Sequence, residues 1–400
     1  MIWRSVGHRK FLPGWELPVV PIGLLLLEFD CVVRPRTFQF SRRTLLGTGL
    51  FAGTSLLIKA CNATPTPTAT DGGTGSGGRS DLIVTTFAGS WEQLYREVIV
   101  PAFQAAGGGS ANLVTMVSLE QVAQLTAAPQ NPPFDVALID EGPFNAASKD
   151  LFVPIPVEMI SNYDQVAPQL LSPDGWAPTT GVQVVGLAYN PSEVSSPPTS
   201  WEDLYDPQYK GRVSMQGMQT TQGTSVMVQL AKLRGGGESN IEPAFEALEK
   251  ELKPNLAGLA ANSGALATLF QQGEIVLAPH DLTNVMALKA RGVDIEWVAP
   301  KEGAIAVRPS QQIVANTTAD LAAAAAFINA SLSLEVQTAM AQEPYNFLPV
   351  NRNVELTGLL AEKFGPTLDE ALSTLVFLDW SQINPNRTEW IERFDKAIQL

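Results

Sequence analysis

From residue 81 onward, short apolar runs alternate with longer amphipathic segments, and that alternation confines the chain to α/β architectures. Leu82–Phe87 predicts a strand and Ser90–Ala106 a helix, with Trp91, Leu94, Val98 and Phe103 apolar at about helical spacing. Ala111–Val117 predicts a strand and Leu119–Ala128 a short helix. Asp135–Ile139 (D-V-A-L-I) is apolar after its first residue, the pattern of a parallel strand covered on both faces. Further strands are expected over Val182–Tyr189, Arg212–Met215, Glu274–Ala278, Asp294–Val298 and Gln311–Ala315. Helices are expected over Thr221–Leu233, Ile241–Leu252, Ala265–Gln272, Leu282–Ala290 and Ala319–Ala330, and the rest to Leu400 reads as mostly helical. There is no internal repeat.

Ahead of this pattern, Asn62–Ser80 contains no large apolar residue and reads as a Pro/Thr- then Gly/Ser-rich tether. Before it, Arg42 and Arg43 precede the apolar run Leu45–Ile58, which ends at Cys61. A positive region, an apolar region and small residues before a cut are the layout of a secretory signal. The run is shorter than the ~20 residues a membrane crossing needs. The competing readings, a core helix or a true anchor, fit poorly because the residues that follow have nothing to bury. S-R-R-T-L-L resembles a twin-arginine export signal, and I-K-A-C at 58–61 resembles a lipobox with Cys61 as the lipidated residue. Residues 1–40 read as an over-long start or an extended n-region. The expectation is an export leader over 1–61, a tether over 62–80 and an extracytoplasmic protein, periplasmic or cell-surface, held to the membrane by lipid on Cys61.

The two cysteines are Cys31 and Cys61, so a chain cut at Cys61 has neither a disulfide framework nor a thiol nucleophile. His8 and His280 are the only histidines, which excludes an ordinary His/Cys zinc site, and no cofactor is expected. The leader holds eight of the 26 Lys/Arg and three of the 40 Asp/Glu, which leaves the remainder at −19. A domain this acidic repels phosphates, so nucleic acid is not an expected partner. A monomer is expected.

In α/β sheets, ligands meet the loops at the carboxyl ends of strands. Four such turns carry polar groups. They are Thr86–Trp91, with Gly89, Ser90 and Trp91; Asp140 and Glu141; Gln216–Thr224, with Gln216, Gln219, Thr220 and Thr221 opening a helix; and His280 with Asp281. Each has a plainer reading: Trp91 as core, the aspartates and Thr220–Thr224 as helix caps. Serine hydrolysis would have to use His280 without any G-x-S-x-G elbow. Asp140 and Glu141 could form an acid/base pair, but sequence neighbours seldom address one substrate. Gly107–Gly109 and Gly235–Gly237 lack the Lys-Ser/Thr of a phosphate loop. An enzyme is not expected; the alternative is an exported hydrolase using His280 with Asp140/Glu141.

Five colinear segments carry a resemblance: T-F-A-G-S-W at 86–91, F-D-V-A-L-I-D-E-G-P at 134–143, S-W-E-D-L-Y-D-P-Q-Y-K-G-R-V at 200–213, G-E-I-V-L-A at 273–278 and G-V-D-I-E-W-V-A-P-K-E-G-A at 292–304. By these the chain, from about Leu82 to Arg352, resembles the bacterial extracellular solute-binding proteins of ABC importers, of the spermidine/putrescine-binding type. The resemblance implies a type II periplasmic-binding fold, two α/β lobes with a hinge and an interlobe cleft, that hands its solute to a membrane permease. Carried over, lobe one is 81–180 with a return at 308–341, lobe two is 181–307, and 342–400 is a C-terminal helical segment.

Polyamine binders of this type hold ammonium groups with carboxylates and sandwich the methylenes with aromatics. Here the family's aromatic and aspartate after the E-G turn are Val307 and Pro309, with Arg308 between them. Its Trp after the G-E strand corresponds to Asp281, and its acidic pair at the lobe-two helix is replaced by neutral Gln216–Thr221. The expectation is therefore a small polar solute, whether a polyamine, another organic cation, a zwitterion or an anion. Trp91, Asp140, Asp281 and Arg308 are expected to line the cleft.

Overall fold

The computed structural model describes residues 80–171 and 176–398. The leader, Cys61 and all but the last residue of the tether lie outside the described residues. Along the described chain run β1 (Leu82–Thr86), β2 (Ala111–Thr115), β3 (Val136–Asp140), β4 (Phe152–Val153), β5 (Gln183–Tyr189) and β6 (Val213–Gln216). These are followed by β7 (Leu256–Ala260), β8 (Leu277–Asp281), β9 (Glu296–Val298), β10 (Ala304–Val307), β11 (Pro309–Val314) and β12 (Leu375–Val376).

They form two sheets. The first is five-stranded in the order β2-β1-β3-β11-β4, and the second is seven-stranded in the order β12-β10-β5-β8-β6-β7 with β9 also paired to β5. In the first sheet β1 is parallel to β2 and β3, whereas β11 runs antiparallel to β3, with Pro309 opposite Asp140 and Ile313 opposite Val136. β3 is buried along its whole length, as a strand covered on both faces must be. The chain thus leaves the first sheet after β4, builds most of the second, and returns as β11. One residue, Arg308, separates β10 of the second sheet from β11 of the first. The two sheets with this crossing are the architecture expected, a mixed α/β fold of two lobes.

The helix Thr221–Leu233 starts where Thr220 Oγ1 accepts from the Gly223 N–H at 2.9 Å. Its first eleven residues are all buried, and Val226, Leu230 and Ala231 join one apolar cluster with β5, β6 and the C-terminal helix Trp380–Ile398. That C-terminal helix also crosses to the first lobe, where Asn384 Nδ2 donates to the Gly142 carbonyl at 2.9 Å. Among the described residues no helix is long and apolar enough to cross a membrane.

β8 lies three residues beyond its expected span of Glu274–Ala278. Its antiparallel register with β5, from Val185 opposite Asp281 to Tyr189 opposite Leu277, draws His280 and Asp281 into the strand instead of the turn after it. β7 and β10 were not expected at all. Leu-Ala-Gly-Leu-Ala and Ala-Ile-Ala-Val are short, and β7 is only partly buried, so their strand character comes from their neighbours.

Candidate functional site

A cavity of about 230 Å3 opens between the two lobes. The first lobe contributes Phe87 and Ala88 after β1, Thr115–Ser118 and the exposed Glu120 after β2, and Asp140 at the end of β3. The second contributes Gln183 and Val307 from the crossing strands, Gln216 and Gln219–Gln222 after β6, and Asn262 and Ser263 after β7. All but the two crossing residues follow the carboxyl ends of strands, where open sheets take ligands.

Asp140 is the principal charge in this cavity. It is 8% exposed, its Oδ1 has no hydrogen-bond partner among the described residues, and its own N–H donates to Ser118 Oγ at 3.0 Å. Burial raises its carboxyl above the ordinary value, while the Thr221 and Ser118 hydroxyls and the charge of Arg387 pull it back down. Arg387 stands behind the site, donating from Nε to Thr224 Oγ1 at 3.2 Å and from its NH2 group to the Gln219 carbonyl at 3.3 Å.

The second-lobe side chains turn their donors into the protein. Gln222 Nε2 donates to the Pro279 carbonyl at 3.0 Å, and Gln219 Nε2 donates to Asp395 at 2.8 Å. Gln216 Nε2 donates to Ser263 Oγ at 3.1 Å, and that hydroxyl donates in turn to Asp281 Oδ2 at 3.1 Å. With one amide hydrogen of each so engaged, Gln216 and Gln222 keep a carbonyl oxygen as acceptor and a second N–H as donor. Among the described residues no basic side chain lines the cavity. Three helices begin at its wall, at Ser118, Thr221 and Ser263. Each helix start carries about half a positive charge, so the three together are of the same order as the charge of one carboxylate.

Of the residues picked from the sequence, the fold brings Asp140, Gln216, Gln219, Thr220 and Thr221 together in this cavity. Trp91 is elsewhere. It is 1% exposed and packs in the core against Phe347, with ring centroids 4.4 Å apart, and edge-on to Tyr95. The expectation that it lines the cleft is corrected on that ground: its ring is already covered on the protein side.

Gly89 and Ser90 make a lobe-to-lobe contact instead. Asn284 Oδ1 accepts from the Ser90 N–H at 3.2 Å and the Ser90 hydroxyl at 3.0 Å. Gly89 has φ of 94°, and a Cβ there would lie 2.7 Å from Asn284 Oδ1, so both the backbone and the contact require glycine.

His280 and Asp281 are fully buried beneath the cavity rather than on its wall. Asp281 caps the helix Leu282–Ala290, accepting from the Asn284 N–H at 2.9 Å and the Thr283 hydroxyl at 2.6 Å. Burial alone would raise its carboxyl, but His280, Thr283 and Asn284 outweigh burial and hold it well below the usual carboxylate range. The plainer reading, a helix cap, is the correct one for Asp281. His280, sealed in the same layer, is not placed to act as a base on anything in the cavity.

Glu141 and Arg308 face the other way. They line a separate cavity of about 540 Å3 together with Trp380. Their side chains are ion-paired, and Trp380 Nε1 donates to Glu141 Oε1 at 2.9 Å. Burial pushes the Glu141 carboxyl up to about 7 against the pull of Arg308 and Trp380, and Asp140 adds to the rise. The expectation that Arg308 lines the ligand cleft is likewise corrected: it is spent on the crossing between lobes.

The sequence reading missed Ser118, Gln222, Asn262 and Ser263. Asn262 accepts from the Ala265 N–H at 2.9 Å, an N-cap legible as Asn-Ser-Gly-Ala-Leu had β7 been recognised before it.

The two sheets and their cleft are the type II periplasmic-binding fold, which solved periplasmic binding proteins share. Residues 131–384 match the family model described as bacterial extracellular solute-binding protein, and the chain belongs to that family. It is 34% identical to the spermidine/putrescine-binding periplasmic protein of Escherichia coli over 143 residues, 34% of this chain and 38% of that protein. It is 33% identical to the putative 2-aminoethylphosphonate-binding periplasmic protein of Salmonella typhi over 123 residues, 30% of this chain and 35% of that protein. These matches span little more than a third of the relatives' length. The crystal structure of an ABC transporter protein from Clostridium perfringens superposes with a TM-score of 0.62 at 25% identity, covering 80% of this chain and all of that one.

Proposed function

We propose that the protein is the substrate-binding component of an ABC importer, which captures a small polar solute between its lobes and delivers it to a membrane permease. In this reading lobe one is 81–180 with 308–341, lobe two is 181–307, and 342–400 closes the structure; the chain acts as a monomer and does no chemistry on its solute. The observation that carries it is the interlobe cavity, walled by strand-end turns of both lobes and holding an unpartnered buried oxygen on Asp140. The buried Asp140 carboxylate, with no basic side chain among the described residues lining the cavity, favours a solute that donates hydrogen bonds, such as a protonated amine. The helix starts favour a second reading, an oxyanion or a zwitterion, for which the amide N–H groups would be the donors. Asp140, Gln216, Thr220 and Thr221 are the proposed contacts.

A thermal-melt panel separates the readings. Putrescine, spermidine, 2-aminoethylphosphonate, thiamine and inorganic phosphate are each added at high excess. A solute that binds only the folded state stabilises it by ~2.7 kcal/mol at a hundredfold excess over its dissociation constant. Stabilisation by the amines and none by phosphate supports the first reading, and the reverse replaces it with the second.

The same proposal includes export through the leader 1–61 and a lipid on Cys61, supported by the Arg42-Arg43 pair, the apolar run and the tether. Cys61→Ser should move the protein from the membrane fraction to the soluble extracytoplasmic fraction. Retention in the membrane fraction would refute lipid anchoring at Cys61.

A further inference from the structure

The lobe crossing holds a buried charge that the cavity does not use. Glu141 follows Asp140 directly, and its N–H donates to the Arg308 carbonyl at 3.2 Å while its carboxylate pairs with the Arg308 side chain. From the C-terminal helix, Trp380 donates to the same carboxylate, and its ring lies so close to Gly142 that a Cβ there would stand 2.3 Å from Cε3. One carboxylate thus touches the first lobe, the crossing strand and the C-terminal helix. It is 9% exposed.

The charges around it can be named element by element. On its own turn there is Asp140, and on the same side Lys149 sits over the Phe144 ring at 3.3 Å. On the crossing there is Arg308, whose guanidinium also stands over Phe377 at 5.0 Å and whose Nε has no partner. On the C-terminal helix Arg387 stacks on the Trp380 ring at 5.2 Å, and Asp379 is turned to Ser381 and Gln382. Two carboxylates adjacent in the chain are therefore buried back to back, one facing the cleft and one facing the crossing.

We propose that Glu141 is a positioning residue that reports the charge of the cleft to the lobe crossing. With no cation in the cleft, ionised Glu141 beside ionised Asp140 opposes the lobe arrangement described above. A cation seated on Asp140 lessens that opposition by the share that Asp140 contributes, the larger share coming from burial. The proposal rests on the reading of the cavity as the solute site.

The sign follows from solvation. Moving the lobes apart admits water to Glu141 and returns it towards an ordinary carboxylate, so the arrangement described takes up a proton relative to a separated one. Raising the pH through about 7 without solute should favour separation. A positive group against Asp140 acts in the opposite direction.

The test needs no identified solute. Spin labels are placed on Gln104→Cys in the first lobe and Lys250→Cys in the second, both exposed, in the full chain carrying Cys31→Ser and Cys61→Ser. The interlobe distance is then measured by pulsed electron resonance from pH 5.5 to 8.5. The wild-type background should lengthen with a midpoint near pH 7, Asp140→Asn should shift that midpoint lower, and Glu141→Gln should abolish the transition. Trp380→Phe, which keeps the ring but loses the N–H, guards against misfolding in Glu141→Gln and should keep a transition of reduced amplitude. A pH-independent distance in the parent, or an unchanged transition in Glu141→Gln, overturns the proposal. In either case a thermal shift with an amine would still stand, so failure of the coupling is distinct from failure of the solute-binding reading.

Discussion

Arg308 and Glu141 hold each other twice, through the Glu141 N–H on the Arg308 carbonyl at 3.2 Å and through their paired side chains. Arg308 is the single residue between β10 and β11, so this double link fixes the point at which the chain passes from one lobe to the other. Two donors on one carboxylate would ordinarily keep it acidic. Burial outweighs them, and the carboxyl is pushed up to about 7.

The stability of the protein should therefore depend on pH in a stated direction. The folded value of Glu141 lies above its unfolded value near 4.5, so its contribution is fully present below about 4.5 and is lost as pH rises through about 7. Asp140, also raised, acts in the same direction. Denaturant melts should show a loss of ~1–3 kcal/mol between pH 5.5 and 8 from this group. Glu141→Gln should flatten that slope while lowering stability overall, because Arg308 is left unpaired. A wild-type profile that rises over this interval would contradict the account.

Trp91→Ala should act on the fold rather than on binding. A fully buried indole packed on Phe347 and Tyr95 costs ~3–5 kcal/mol when truncated. The folded fraction should keep its affinity for any solute found by the melt panel. A large affinity loss with an unchanged melting point would restore Trp91 to the binding wall.

Gly89→Ala tests the lobe contact. The residue combines a left-handed φ of 94° with a Cβ position 2.7 Å from Asn284 Oδ1. The substitution should cost ~1–3 kcal/mol and break the Ser90–Asn284 bonds. Ser90→Ala removes only the hydroxyl bond to Asn284 and adds no backbone strain, so the smaller effect is expected from it. Equal losses would place the whole cost in the hydrogen bonds.

Asp281→Ala removes the carboxylate that accepts from Ser263, Thr283 and Asn284, and it leaves those buried donors unsatisfied. The expected cost is ~3–5 kcal/mol in a denaturant melt. A mild effect would mean that Asp281 is not the structural centre of that layer.

What the sequence showed and what it hid follow from the range of the interactions. β1, β3 and β5 were legible because strands covered on both faces carry near-continuous apolar runs, and Asp140 and Gln216–Thr221 were legible because ligand loops follow such strands. β10 and β7 are built mainly of alanine and glycine between single larger residues, too small a side-chain signal to announce a strand. Missing β7 hid Asn262 and Ser263, although their capping pattern is local. Trp91 misled because its ring is covered by Phe347, a contact that no local pattern contains. The displacement of β8 by three residues had the same cause, since its register is set by β5.

The central claim is that Asp140 anchors a solute between the lobes, and calorimetric titration of wild type and Asp140→Asn tests it most directly. The titrant is whichever panel compound gives the largest thermal shift. Loss of a charge-assisted bond of ~1.5–3 kcal/mol predicts an affinity at least tenfold weaker in Asp140→Asn, with the melting point of the unliganded variant no lower than that of wild type. Equal affinity in the two proteins would place the solute elsewhere and contradict the account.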